Sequence, residues 1–206
     1  MSIKTVTLPA GAPGALEQAL AVLASGGLVA FPTDTVYGVA ARLKDPAGIK
    51  RLYTVKERER DKAIPVLIGQ MADLEQLTWH APRLAWQLAE RFWPGPLTLV
   101  VPRSPALPDE LAAEPTVGVR MPNHPVALAL LRRSGPLAVT SANLSGAANT
   151  RTAAEALAQL EGRIELILDG GLAPGGAPST VVDCTSGEIR ILRPGPISAA
   201  ELRGIR

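Results

Sequence analysis

The stretch Leu28-Val29-Ala30-Phe31-Pro32-Thr33-Asp34-Thr35-Val36-Tyr37-Gly38 decides the fold. Four apolar residues in a row, closed by proline, read as a short strand buried on both faces. Three hydroxyl-bearing residues and a carboxylate then crowd into Thr33–Tyr37, as in a turn at a strand end. Upstream, Ala15, Leu16, Ala19, Leu20 and Leu23 recur at helical spacing and Gly26-Gly27 stops them, so a helix packs against the strand.

The same alternation continues outward. Asp45-Pro46 opens a helix to about Tyr53, and Ile64–Ile68 is the next strand. Pro82 opens a helix carrying Leu84, Ala85, Leu88, Ala89 and Phe92, which Pro94-Gly95-Pro96 ends. Further strands are expected at Leu97–Val101, Val117–Met121, Leu137–Thr140, Ile164–Leu168 and Thr180–Asp183, and Arg193 in LRPGPIS closes a last strand before a Pro-Gly turn. Helices are expected from Pro125 to about Arg133 and after Thr152, whose capping box with Glu155 is repeated at Ser198 and Glu201. Strands interleaved with helices, with no linker rich in Gly, Ser and Pro, define one α/β domain over residues 1–206.

Composition narrows the function. In 206 residues, 47% are apolar and 19% charged, a globular balance; the 19 glycines and 19 prolines favour many short elements. One cysteine, Cys184, and two histidines, His80 and His124, exclude a disulfide framework and leave too little for a metal centre. A net charge of +2 is too weak to argue nucleic-acid binding by itself. No apolar stretch of membrane-spanning length occurs, and the first residues lack the apolar core of a secretory signal, so the cytoplasm is expected. GxxxxGK[ST], GxSxG and HExxH are all missing.

The chemistry-bearing residues cluster after strands, where open α/β sheets bind ligands. In KERERDK, Lys56–Lys62, cations occupy 56, 58, 60 and 62; if the segment is extended they form a row on one face, suited to a polyphosphate. Arg120 lies in an apolar strand, opposite Val119 and Met121, so it pairs with a buried acid or clamps a ligand carboxylate or phosphate. His124 reads as the opening of a helix. TSANLSG, Thr140–Gly146, offers small donors, and the glycines of 170–178 permit close backbone approach, making that segment a candidate lid. Trp79, Trp86 and Trp93, seven residues apart, read as core or hinge packing.

Taken in order, FPTDTVYG, K-x-R, WPGPLT, VRMPNHP, TSAN, GG…STVVD and RPGPI resemble the YrdC-like family of threonylcarbamoyl-AMP synthases, from about Gly27 to Ile197. The resemblance implies a twisted mixed sheet flanked by helices with a large positively charged cleft, in the short, single-domain form. It implies an enzyme, a nucleotidyltransferase making threonylcarbamoyl-AMP and pyrophosphate from L-threonine, bicarbonate and ATP. Partner proteins then transfer the threonylcarbamoyl group to tRNA beside the anticodon. Magnesium arrives with ATP, and no protein metal ligands are expected. By position, Lys56, Arg58, Thr116, Ser141, Asn143, Asn149 and Arg193 would bind ATP, with Lys56 and Arg58 as electrostatic stabilisers and no covalent nucleophile. Thr33, Tyr37, Arg120 and Ser179 would bind threonine. Where many members carry NPL-x-x-H after K-x-R, with a histidine touching threonine, this chain reads KAIPVLIG. Two other readings stand beside this one: a double-stranded RNA or tRNA-binding module without turnover, and a paralogue that adenylates a different carbamate.

Overall fold

The computed structural model describes residues 3–204. The strands are β1 (Val6–Pro9), β2 (Val29–Pro32), β3 (Tyr37–Arg42), β4 (Val66–Leu67), β5 (Leu97–Pro102), β6 (Thr116–Arg120), β7 (Leu137–Ser141), β8 (Leu166–Asp169), β9 (Thr180–Asp183) and β10 (Arg190–Arg193). The helices are α1 (Ala15–Ala24), α2 (Pro46–Lys56), α3 (Asp73–Leu77), α4 (Arg83–Phe92), α5 (Pro125–Ser134), α6 (Ala153–Leu160) and α7 (Ala199–Arg203). All ten strands join one sheet in the order β1-β8-β2-β3-β7-β4-β6-β5-β9-β10. Its pairings are mixed: β2 runs parallel to β8 but antiparallel to β3, and β5 antiparallel to β6 but parallel to β9.

Strand alternation sends side chains to two different cores. From β2 and β3, Ala30, Tyr37, Val39 and Ala41 join the larger core, with Ile49 and Leu52 of α2, Leu88 of α4, and Ala156 and Leu160 of α6. Val29, Phe31 and Ala40 point the other way, onto Ala19 and Leu23 of α1 and Leu130 and Leu131 of α5. On the far half of the sheet the pattern holds on one face only. Leu97, Leu99 and Val101 of β5 and Val117 and Val119 of β6 enter the larger core. Their neighbours Thr98, Val100, Thr116, Gly118 and Arg120 line an open cavity instead. The cavity is therefore the part of one sheet face that α1 and α5 do not reach.

Most expected elements form where their periodicity places them, within two or three residues. The exceptions are instructive. The strand expected over Ile64–Ile68 is reduced to Val66–Leu67, because β4 serves only as a two-residue wedge between β6 and β7. β3, unanticipated, reads Tyr-Gly-Val-Ala-Ala-Arg; glycine and alanine give it little strand propensity, and burial between β2 and β7 makes it a strand. α3 and the edge strand β1 were likewise not expected. The largest correction concerns Lys56–Lys62. Lys56 is the last residue of α2, Glu57 caps it in the left-handed region (φ 53°), and the chain then turns, so no one-faced cation row exists. Lys62 pairs with Glu59 at 2.7 Å. Of the three tryptophans, Trp86 and Trp93 pack on the core, but Trp79 is exposed, with its ring edge-on to His80.

Gly69 shows how tightly β4 is seated. A Cβ there would lie 2.7 Å from the Arg132 backbone nitrogen and 2.8 Å from the Leu131 carbonyl carbon, inside α5. Gly69→Ala is expected to destabilise the fold by about 1–3 kcal/mol, the scale of overpacking against backbone that cannot yield, measured by urea unfolding.

Candidate functional site

The cavity has a volume of about 430 Å³, within the range of small-molecule sites. Its floor is paved with glycine. A Cβ on Gly38 would fall 2.8 Å from Val139 Cγ1, and one on Gly118 3.2 Å from Thr98 Cγ2. Among the described residues that line it, the charged ones are Arg58, Arg120 and Arg193. Thr33, Tyr37, Thr116, Ser141, Asn149 and Ser179 also line it, so nine of the expected site residues converge on one cavity. Two do not: Lys56 and Asn143 lie beneath its rim.

Arg120 is the most deeply held of the three arginines, its side chain only 7% exposed. Its Nε donates to the Gly95 carbonyl at 3.0 Å, Nη1 to Thr35 Oγ1 at 2.9 Å, and Nη2 to Asp34 Oδ1. The bond to Thr35 continues inward. Thr33 Oγ1 donates to the Val36 carbonyl at 2.7 Å, so in the Thr33–Thr35 pair, 2.9 Å apart, Thr35 donates to Thr33. Thr33 therefore faces the cavity with its hydroxyl proton already used. The turn bonding expected for this segment is real, and it serves as the wall behind Arg120.

On the opposite side, Arg193 grips Ser179. Its Nε and Nη2 donate to the Ser179 carbonyl at 3.1 and 2.9 Å, and Nη2 also reaches Ser179 Oγ at 3.1 Å. Ser179 Oγ lies 2.8 Å from Thr98 Oγ1, a cavity residue that sequence reading missed. A lone threonine inside an apolar strand, alternating with core leucines, was the available signal. Gly195 makes the grip possible, because a Cβ there would lie 2.4 Å from Thr180 N. Arg58 is fixed by its own turn, through Nε to the Lys62 carbonyl at 3.1 Å and Nη2 to the Ala63 carbonyl at 2.9 Å.

Lys56 acts from underneath. Its side chain is buried and its Nζ donates to the Ser141 and Asn143 carbonyls, tying the end of α2 to the loop after β7. The Asn143 side-chain amide braces that loop from within, donating to the Leu144 and Ala147 carbonyls at 2.9 and 2.8 Å. Tyr37 borders the cavity, and its hydroxyl donates to the Gly171 carbonyl at 2.7 Å; burial pushes that hydroxyl up to about 12, so it stays protonated. Two further bonds fasten the glycine-rich segment, Ala173 N to the Arg151 carbonyl and Gly176 N to the Thr35 carbonyl, both 2.8 Å. The expected lid segment is thus tied down at three points. In the stretch KAIPVLIG, Ala63, Pro65 and Leu67 supply an apolar wall to the cavity. His124 caps α5 through its backbone and does not line the cavity. No group of three or more His, Cys, Asp or Glu placed to hold a metal occurs among the described residues.

The fold and cavity define an α/β protein with an arginine-bearing cavity on an uncovered sheet face. Residues 21–195 match the model of the Sua5/YciO/YrdC family, described as telomere recombination, and the chain belongs to that family. The threonylcarbamoyl-AMP synthase of Bacillus subtilis is 44% identical over 193 residues, covering 92% of this chain and 56% of that protein. A Mycobacterium tuberculosis relative is 43% identical over 194 residues, 92% of this chain and 89% of that protein. The crystal structure of Pyrococcus abyssi Sua5 complexed with L-threonine superposes with a TM-score of 0.91 at 38% identity, covering 99% of this chain and 60% of that one. The chain thus spans little more than half of the Bacillus and Pyrococcus proteins. No helix among the described residues is long and apolar enough to cross a membrane.

Lys56 makes stability depend on pH. Burial, and after it the Arg58 charge, pushes its ammonium down to about 7. Below that pH the folded and unfolded chains both hold the proton; above the ordinary lysine range neither does. In between, the unfolded chain holds more protons, so stability climbs as pH rises. Urea unfolding is expected to show a gain on the order of 1–3 kcal/mol between pH 7 and about 10, absent in Lys56→Met.

Proposed function

We propose that the chain is an L-threonylcarbamoyladenylate synthase, a nucleotidyltransferase whose product serves the threonylcarbamoyl-adenosine modification of tRNA. The reading rests above all on one observation: Arg58, Arg120 and Arg193 share a cavity with Thr98, Ser141 and Ser179. The substrates carry matching charge, a carboxylate on the amino acid and a triphosphate on ATP. The names of the relatives and the L-threonine complex of the Pyrococcus protein support this choice of substrate.

The chemistry needs positioning more than a protein nucleophile. The threonine amine adds to carbon dioxide, or to bicarbonate with loss of water, and gives up a proton to form a carbamate. A carbamate oxygen then attacks the α-phosphorus of ATP, and the bond to pyrophosphate breaks. Arg120 holds the amino-acid carboxylate, and Arg58 and Arg193 neutralise the triphosphate as charge moves onto the leaving group. Magnesium comes to the site on the nucleotide. Lys56 and Asn143 shape the loop that bears Ser141 and contribute to ATP binding through it. Ala63, Pro65 and Leu67 meet the amino-acid side chain, so that wall sets which amino acid is preferred. The transfer to tRNA, by partner proteins in the cytoplasm, follows release of the adenylate.

Pyrophosphate release should require ATP, magnesium, threonine and bicarbonate together, with mass spectrometry showing threonylcarbamoyl-AMP. Release with a different amino acid alone points to a paralogue, and none from folded protein contradicts the reading. Arg58→Ala is expected to lower kcat/KM by about 2–4 kcal/mol, the scale of losing one charged stabiliser.

A further inference from the structure

Counting donors on Arg120 exposes a residue that works from behind the cavity. A guanidinium carries five N–H groups. Gly95 O, Thr35 Oγ1 and Asp34 Oδ1 take one each, from Nε, Nη1 and Nη2. One N–H remains on each terminal nitrogen, and two is the number a carboxylate takes in bidentate pairing. Of the three partners, only Asp34 is charged, and it does not line the cavity.

Asp34 is itself aimed. Its Oδ1 also accepts from the Asn123 backbone N–H at 3.0 Å, in the segment that follows the strand carrying Arg120. Its other oxygen, Oδ2, is buried with no hydrogen-bond partner. The carboxylate is thus fastened entirely through the oxygen that holds Arg120. Leaving a carboxylate oxygen bare and dry is unfavourable, so what this side chain contributes comes through Oδ1.

We infer that Asp34 is a positioning residue for the amino-acid subsite, setting the rotation of the Arg120 guanidinium so that its two remaining N–H groups face the incoming carboxylate. This rests on the role given to Arg120 under the proposed function. A role through charge alone has the opposite sign, because removing a negative charge beside Arg120 would tighten its hold on an anion.

Two variants separate geometry from charge. Asp34→Asn keeps an oxygen for Nη2 and loses the charge, whereas Asp34→Glu keeps the charge and pushes the oxygen out by a methylene. Each is assayed by pyrophosphate release for the KM of threonine and of ATP, alongside thermal unfolding. Positioning predicts a threonine KM raised about tenfold or more in Asp34→Glu, with the ATP KM within about twofold and Asp34→Asn close to wild type. An unchanged threonine KM in Asp34→Glu, or equal rises in both KM values, overturns the inference. If Asp34→Glu melts too low to assay, Asp34→Asn decides: a threonine KM within about twofold of wild type supports the inference, and a lowered or clearly raised one overturns it. Wild-type protein with no threonine-dependent turnover would instead overturn the underlying reading.

Discussion

Arg120 bears a permanent charge where water is nearly excluded, and such a charge persists only if acceptors surround it. The acceptors come from two separate places, the turn after β2 and the Gly95 loop before β5, and the Asn123 backbone N–H in the segment following β6 holds the Asp34 carboxylate in turn. Satisfying one side chain therefore locks two distant parts of the sheet together across the cavity. Removing one partner of a buried pair of this kind typically costs about 3–5 kcal/mol, so the residues that shape the site also help to hold the fold.

The cavity exists because the two sheet faces are covered unequally. One face is packed against helices across nearly its whole width, while on the other α1 and α5 stop short of β5 and β6. Alternation then delivers Thr98, Val100, Thr116, Gly118 and Arg120 to the uncovered part without any break in strand geometry. Glycines at 38 and 118 keep that floor low where a single methyl would meet Val139 or Thr98. Rigid strands place the binding groups, and the loops over them are pinned by backbone hydrogen bonds.

Local chemistry made much of this legible in the sequence. The run from Leu28 to Phe31, the capping boxes at Thr152 and Ser198, and the isolated Arg120 each gave the right element or face, because each signal is decided within a few residues. The site was expected at strand ends, and the turns at Thr33–Val36 and after Ser141 do border it. That its floor is a sheet face was hidden, since helix coverage depends on contacts far apart in the chain. Lys56 and Arg58 show the same limit. Their alternation with glutamates looked like an extended row, but the left-handed Glu57 at the end of α2 sends Lys56 under the loop and Arg58 into the cavity.

The central claim, that one uncovered sheet face seats an amino acid and a triphosphate side by side, is tested most directly by a crystal structure with L-threonine and a non-hydrolysable ATP analogue. The account predicts the threonine carboxylate on the two remaining N–H groups of Arg120, and the phosphates between Arg58 and Arg193. Either ligand bound away from this cavity, or the carboxylate seated on another residue while Arg120 keeps its three protein partners, would contradict it.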